Sequence, residues 1–151
     1  MRLAAMSASI ESLTLRLASQ KDHLRLEHLQ RRASLELPEY RDELLKHPDA
    51  MHLPPTQIEN GQVIVAEWNG AIAGFAAEVG GELDGVFVEP DLWGLGIGKA
   101  LVAAATHRAR QRGLALSVVA NPRARTFYEK CGFSIEGEVQ TRFGPALRMT
   151  R

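Results

Sequence analysis

The stretch Glu82 to Lys99, ELDGVFVEPDLWGLGIGK, constrains this chain more than any other: an apolar strand runs into a glycine-rich turn, and the turn opens directly into a helix. Leu83, Val86, Phe87 and Val88 favour a pleated, buried segment, and Glu89, Pro90 and Asp91 stop it. Gly94, Gly96 and Gly98 follow at alternate positions, and KALVAAATHRARQRG behind them has a helical pattern. The first N–H groups of a helix lack intrahelical partners and lie at the positive end of its dipole, so such a junction attracts anions. Glycines let the backbone approach a phosphate without side chains in the way. They also make tight turns with no ligand at all. Against that simpler reading, each glycine at a helix start costs about 0.5–1 kcal/mol relative to Ala.

The spacing argues against the two commonest phosphate loops. A Walker loop needs Gly where Trp93 stands and Ser or Thr where Ala100 stands. A dinucleotide fingerprint beginning at Gly94 wants Gly or Ala at Lys99, and it normally follows the first strand of its domain. The turn instead resembles the acyl-CoA pyrophosphate loop of the GCN5-related N-acetyltransferase (GNAT) superfamily. That pattern is Arg or Gln, two residues, Gly, one residue, Gly or Ala, and it falls on Trp93, Gly96 and Gly98. The first place departs from the pattern, since an indole cannot replace the usual polar side chain. A second block, NPRARTFYEKCGF from Asn121 to Phe133, resembles the later superfamily segment in which Asn precedes a short helix that carries Tyr and ends in Gly-Phe. The resemblance covers residues 63–150 well and the first 60 only in general plan.

The chain has room for one domain, residues 1–151. Its 45% hydrophobic and 24% charged content is that of a globular protein. Eighteen basic residues balance eighteen acidic ones, so no net field draws nucleic acid or a membrane surface. One cysteine, Cys131, excludes an internal disulfide and disfavours a cysteine-based metal site. MRLAAMSASIESL lacks the apolar run of a signal peptide and no segment has the length of a bilayer span, so a cytoplasmic location is expected, with residues 1–10 flexible.

Leu13, Leu15 and Leu17 alternate with polar residues and predict a half-buried strand. Ser19 to Asp22 offer caps for a helix to about residue 35, with Leu24, Leu26, Leu29 and Leu35 on its apolar side. Pro38 starts a helix over Glu39–Lys46, and 47–61 reads as an ordered but irregular loop. Gln62–Trp68 and Ala71–Val79 form a hairpin at Asn69-Gly70. After the strand and glycine turn, a helix over 98–112 stops at Gly113, and LALSVVA, 114–120, suits the middle of a sheet. Asn121 caps the next helix, which ends at Gly132; Phe133–Gln140 and Pro145–Thr150 close the sheet as a hairpin. The expected fold is α/β: a mixed, mostly antiparallel sheet of about seven strands, β-α-α-β-β-β-α-β-α-β-β, with about four helices. That is also the superfamily's order.

The resemblance implies an N-acetyltransferase using acetyl-CoA, with no metal. By it, backbone groups of Phe87 and Val88 bond the pantetheine arm, and Gly94, Leu95, Gly96, Ile97, Gly98 and Lys99 hold the pyrophosphate. Asn121 contacts pantetheine or only caps its helix. Tyr128 protonates the departing sulfur or simply packs, since Ala124, Phe127, Tyr128 and Cys131 share one helical face. The base is Glu82, Asp84 or a water relay, because strand alternation puts both carboxylates on one face. The five histidines show no metal-ligand spacing. The acceptor is a small-molecule or peptide amine, selected by the N-terminal third, the loop His47–Asn60 and the last hairpin, where Arg142 and Phe143 lie. Homodimerisation enters only by analogy with the superfamily. Two other readings stay open: a non-catalytic CoA-binding sensor or assembly subunit, and a nucleotide-binding protein using the same turn.

Overall fold

Two strands with apolar residues at successive positions, β2 (Val63–Trp68) and β3 (Ala71–Val79), bury both faces and set the layers of the molecule. In the computed structural model, which describes residues 12–151, Val63 and Val65 of β2 point into one core and Ile64 and Ala66 into another. The expectation for residues 1–10 lies outside the described residues. On the first side pack α1 (His23–Leu35) and α3 (Pro55–Glu59), through Leu26, Leu29 and Ile58 around Phe75. On the second side lies α4 (Ile97–Gln111), with Leu101, Val102, Ala105 and Ala109 buried at helical spacing.

The sheet is completed by β1 (Leu13–Leu17), β4 (Glu82–Val88), β5 (Ser117–Ala120), β6 (Ser134–Thr141) and β7 (Gly144–Thr150), in the order β1-β2-β3-β4-β5-β7-β6. Every adjacent pair is antiparallel except β4 and β5. This is the mixed, mostly antiparallel α/β sheet expected from the element order. The hairpin at Asn69 and Gly70 has both residues at positive φ, as a two-residue turn between twisted strands requires. The remaining helices are α2 (Pro38–Lys46) and α5 (Arg125–Lys130).

Four local expectations need correction. Leu15 and Leu17 are 41% and 46% exposed, because β1 is the sheet's edge strand; Arg16 between them pairs instead with Asp22 and Glu67. Leu24 is 70% exposed, since the buried stripe of α1 runs through Leu26, Leu29 and Ala33. The segment 47–61 is not irregular: Pro48–Met51 is a 3-10 turn, Pro55–Glu59 is α3, and Met51, Leu53 and Ile58 are buried. It is tied to α1 by Glu27, which accepts the Leu53 N–H at 3.0 Å and pairs with His52 at 2.6 Å. In addition, the strand expected over 114–120 is confined to β5, with Leu114 exposed beside the helix stop at Gly113.

The start of α1 rests on one carboxylate. Asp22 accepts the Ser19 N–H at 2.8 Å and a bond from the Arg16 guanidinium at 2.8 Å, completing a capping box. Arg16 holds the Asp22 carboxyl below its ordinary range, against the opposing push of burial. A folded-state value below the unfolded one contributes stability that is full above the ordinary carboxylate range and lost as pH falls through the folded value. Asp22→Asn is therefore expected to cost about 1 kcal/mol at pH 7. The gap from the parent protein, read by urea unfolding, should narrow below about pH 4; a gap independent of pH would exclude this role.

Candidate active site

β4 and β5 pair only at Glu82 with Ser117 and Leu83 with Val118. Beyond Leu83 the two parallel strands part, while β4 stays bonded to β3 as far as Val88. Amide groups on the β5 side of Asp84–Val88 thus lack a neighbouring strand, and a cleft of about 900 Å³ opens there. A bulge helps shape it. Ala77 faces Gly85 but Glu78 faces Leu83, so Asp84 is an extra residue in β4. Asp84 lines the cleft and accepts the Gln57 side-chain N–H at 2.7 Å. Glu82 does not line it: it belongs to the stretch where the strands are still paired, and it lies 3.7 Å from Arg148. The structure therefore separates the two carboxylates that alternation groups together.

The glycine turn forms one end of the cleft. Gly94 and Gly96 have φ of 84° and 87°, a left-handed backbone that a side chain would strain. Gly96 is the N-cap of α4 and has no side chain with which to cap it, so the first N–H groups of the helix remain open to a ligand. At Gly98 a Cβ would stand 3.2 Å from the Phe127 ring, so glycine here allows the helix start to sit against α5. Phe87, Val88, Gly94, Gly96, Ile97, Gly98, Lys99 and Asn121 all line the cleft; Leu95 points away and is exposed. Trp93, in the place that departs from the family pattern, also lines it, and its indole N–H donates to the Val88 carbonyl at 2.8 Å. The indole thus ties the turn back to β4.

Glu89, which the sequence marks only as a strand stop, anchors the entry to the turn. It accepts bonds from Arg25 at 2.7 Å and from Arg32 at 3.1 and 2.5 Å, and Arg25 also bonds the Ile72 carbonyl at 3.1 Å. Burial pushes the Glu89 carboxyl up, but the two guanidiniums outweigh it and hold the group below its usual range. The one available signal was two arginines seven residues apart, on one side of α1.

Tyr128 lines the cleft opposite β4 and is 7% exposed, edge-on to Phe127 and Phe133 at centroid distances of 5.0 and 5.4 Å. Among the described residues its hydroxyl has no hydrogen-bond partner, and burial pushes its pKa above the ordinary tyrosine value. Asn121 Oδ1 accepts the Ala124 N–H at 3.1 Å, so it caps the turn into α5 while lining the cleft. Cys131 is buried near Tyr128, and desolvation raises its thiol pKa. The far end of the cleft is walled by α2 and the 3-10 turn on one side and by the β6–β7 turn on the other. Arg142 bonds Asp49 at 2.9 Å across these walls and stacks over Phe143. Among the described residues no group of three or more His, Cys, Asp or Glu side chains is arranged to hold a metal ion, and no helix is long and apolar enough to cross a membrane.

The Acetyltransferase (GNAT) family model matches residues 26–133. No curated protein matches the chain. Among solved structures it is similar to a GCN5-related N-acetyltransferase from Rhodopseudomonas palustris, with 24% identity over 93% of this chain and 95% of that one and a TM-score of 0.73. It is similar to the PaiA N-acetyltransferase of Thermoplasma acidophilum in complex with coenzyme A, at 18% identity over 93% and 99%, TM-score 0.71. It also resembles YncA of Salmonella typhimurium with its cofactor acetyl-CoA, at 21% identity over 91% and 90%, TM-score 0.67. At these identities the structural likenesses establish a shared fold.

Proposed function

The chain belongs to the GNAT acetyltransferase family, and on that premise we propose that it transfers an acetyl group from acetyl-CoA to a primary amine by direct attack in a ternary complex. The observation that carries this reading is a single cleft lined at once by the glycine turn, the free edge of β4 and the Tyr128 side chain. Acetyl-CoA, when bound, supplies a thioester whose carbonyl carbon the amine attacks and whose sulfur leaves.

The residues present fit that co-substrate. N–H groups of Gly94, Leu95, Gly96, Ile97, Gly98 and Lys99 form the pyrophosphate cradle, since Leu95 and the buried Ile97 need only their backbone for it. Lys99 adds a positive charge at the cleft. Backbone groups of Phe87 and Val88 bond the amides of the pantetheine arm where the strands part, and one N–H there polarises the thioester carbonyl. Asn121 borders the same gap. Tyr128 donates its proton to the departing sulfur, and Asp84 receives a proton from the attacking nitrogen. Glu82, outside the cleft and beside Arg148, acts at most through intervening water. Trp93 has to release the Val88 carbonyl if the pantetheine arm uses that acceptor.

Parallel calorimetric titrations with acetyl-CoA, CoA, ATP and NAD test the reading. Micromolar binding confined to the two CoA compounds is expected, followed by thiol release with an amine acceptor. Absence of CoA binding by folded protein would overturn it. Binding without turnover of any amine would leave a CoA-binding sensor instead.

A further inference from the structure

The acceptor itself can be narrowed, an inference that rests on the transferase reading. Away from the glycine turn the cleft is walled by Leu37, Tyr40, Leu44 and Ala50 on one side and by Phe143 and Pro145 on the other. No residue of α2 is buried, so Tyr40 and Leu44 border the cleft without being buried in the core. These are apolar surfaces awaiting an apolar partner.

Charge narrows the choice further. Among the described residues lining the cleft Asp84 is the one carboxylate, against Lys99, Arg123 and Lys130. On the α2 side Glu39 pairs with Arg123 at 2.9 Å and Asp49 of the 3-10 turn with Arg142 at 2.9 Å. A polyamine or aminosugar would bring several ammonium groups to a lining with one carboxylate and the like charge of Lys130, which is unfavourable; Arg123 is balanced by Glu39, and Lys99 lies at the glycine turn. Asp49–Arg142 joins the two walls and Glu39–Arg123 joins α2 to the turn before α5, so the acceptor end is spanned by side chains, where a peptide would need an open exit. Both pairs are exposed and can part transiently to admit a small molecule, which, unlike a peptide, does not have to hold them open once bound.

We infer that the acceptor is a small primary monoamine on an aromatic or branched aliphatic body. Its nitrogen meets Asp84, held in place by Gln57, and its body packs against Tyr40, Leu44 and Phe143. After attack the new C–N bond replaces the C–S bond, the nitrogen's proton passes to Asp84, and the thiolate takes the proton of Tyr128.

The test compares 2-phenylethylamine, spermidine and a tetrapeptide with an apolar first residue, by thiol release and by calorimetric binding to the CoA-loaded full chain. The arylalkylamine is expected to lead spermidine in kcat/KM by about tenfold or more, the direction that like-charge repulsion dictates. Leu44→Ala should raise its KM severalfold with CoA affinity unchanged, and Leu44→Glu, which adds a second carboxylate, should move preference toward spermidine. Because α2 buries no residue, neither variant threatens the fold. Preference for spermidine or the peptide, or no saturable binding of the arylalkylamine to CoA-loaded protein, would overturn the inference while leaving the transferase reading intact. Failure to bind CoA would overturn that reading instead.

Discussion

Replacing Tyr128 with Phe is expected to lower kcat by about 100- to 10,000-fold, the range typical of a lost general acid, while CoA affinity changes little. The substitution removes one oxygen and keeps the ring between Phe127 and Phe133, so packing is retained. No hydrogen bond to a described residue is lost either, because the hydroxyl has none. Burial raises the phenol's pKa, so its proton stays on oxygen through the alkaline range in which an amine acceptor is neutral. With the parent protein, kcat/KM should therefore climb as pH approaches the acceptor's own pKa, with no falling limb from Tyr128 ionisation. Steady-state kinetics of both proteins between pH 6 and about pH 10 make the check. An unchanged kcat in the Phe variant would reduce Tyr128 to a packing residue.

Gly96→Val should weaken CoA binding about 10- to 30-fold. The residue sits at φ 87° as the N-cap of α4, and a left-handed backbone costs an L side chain about 1–2 kcal/mol, with β-branched residues at the upper end. In the free protein the turn can relax to escape that strain. Binding must then restore the cradle, and the cost appears as lost affinity, tenfold for each 1.4 kcal/mol. Gly137→Ala is the control, because that glycine has no positive φ and nothing within 4 Å of an added Cβ. Calorimetry on the two variants distinguishes a ligand cradle from a merely tight turn: equal CoA affinity in both would leave the glycine without a binding role.

Much of the fold was legible because its signals are short. The Asn69-Gly70 hairpin, the stops at Gly113 and Gly132 and the Asn121 cap each depend on a few neighbouring residues. Where local pattern failed, the sheet's layout was responsible. The leucines of β1 alternate correctly, yet they lie at an edge, and sequence alternation cannot distinguish an edge strand from a central one. The regular segments within 47–61 escaped the local pattern because two short helical pieces there lean on α1 through Glu27 and on the core through Met51, Leu53 and Ile58. Likewise Glu82 and Asp84 look equivalent along the chain, and the parting of β4 from β5 tells them apart.

By itself the sequence determined that a strand, a glycine turn and a helix adjoin, with an Asn-capped, Tyr-bearing helix to follow, since backbone preference and capping act over a few residues. Only the tertiary structure decided what anchors that turn and what walls the cleft beyond it. Glu89 is held by arginines 64 and 57 residues away, and Asp49 meets Arg142 across 93 residues of chain. Such meetings depend on how the sheet orders its strands and where two of them separate, and the spacing of residues along the chain carries no record of either.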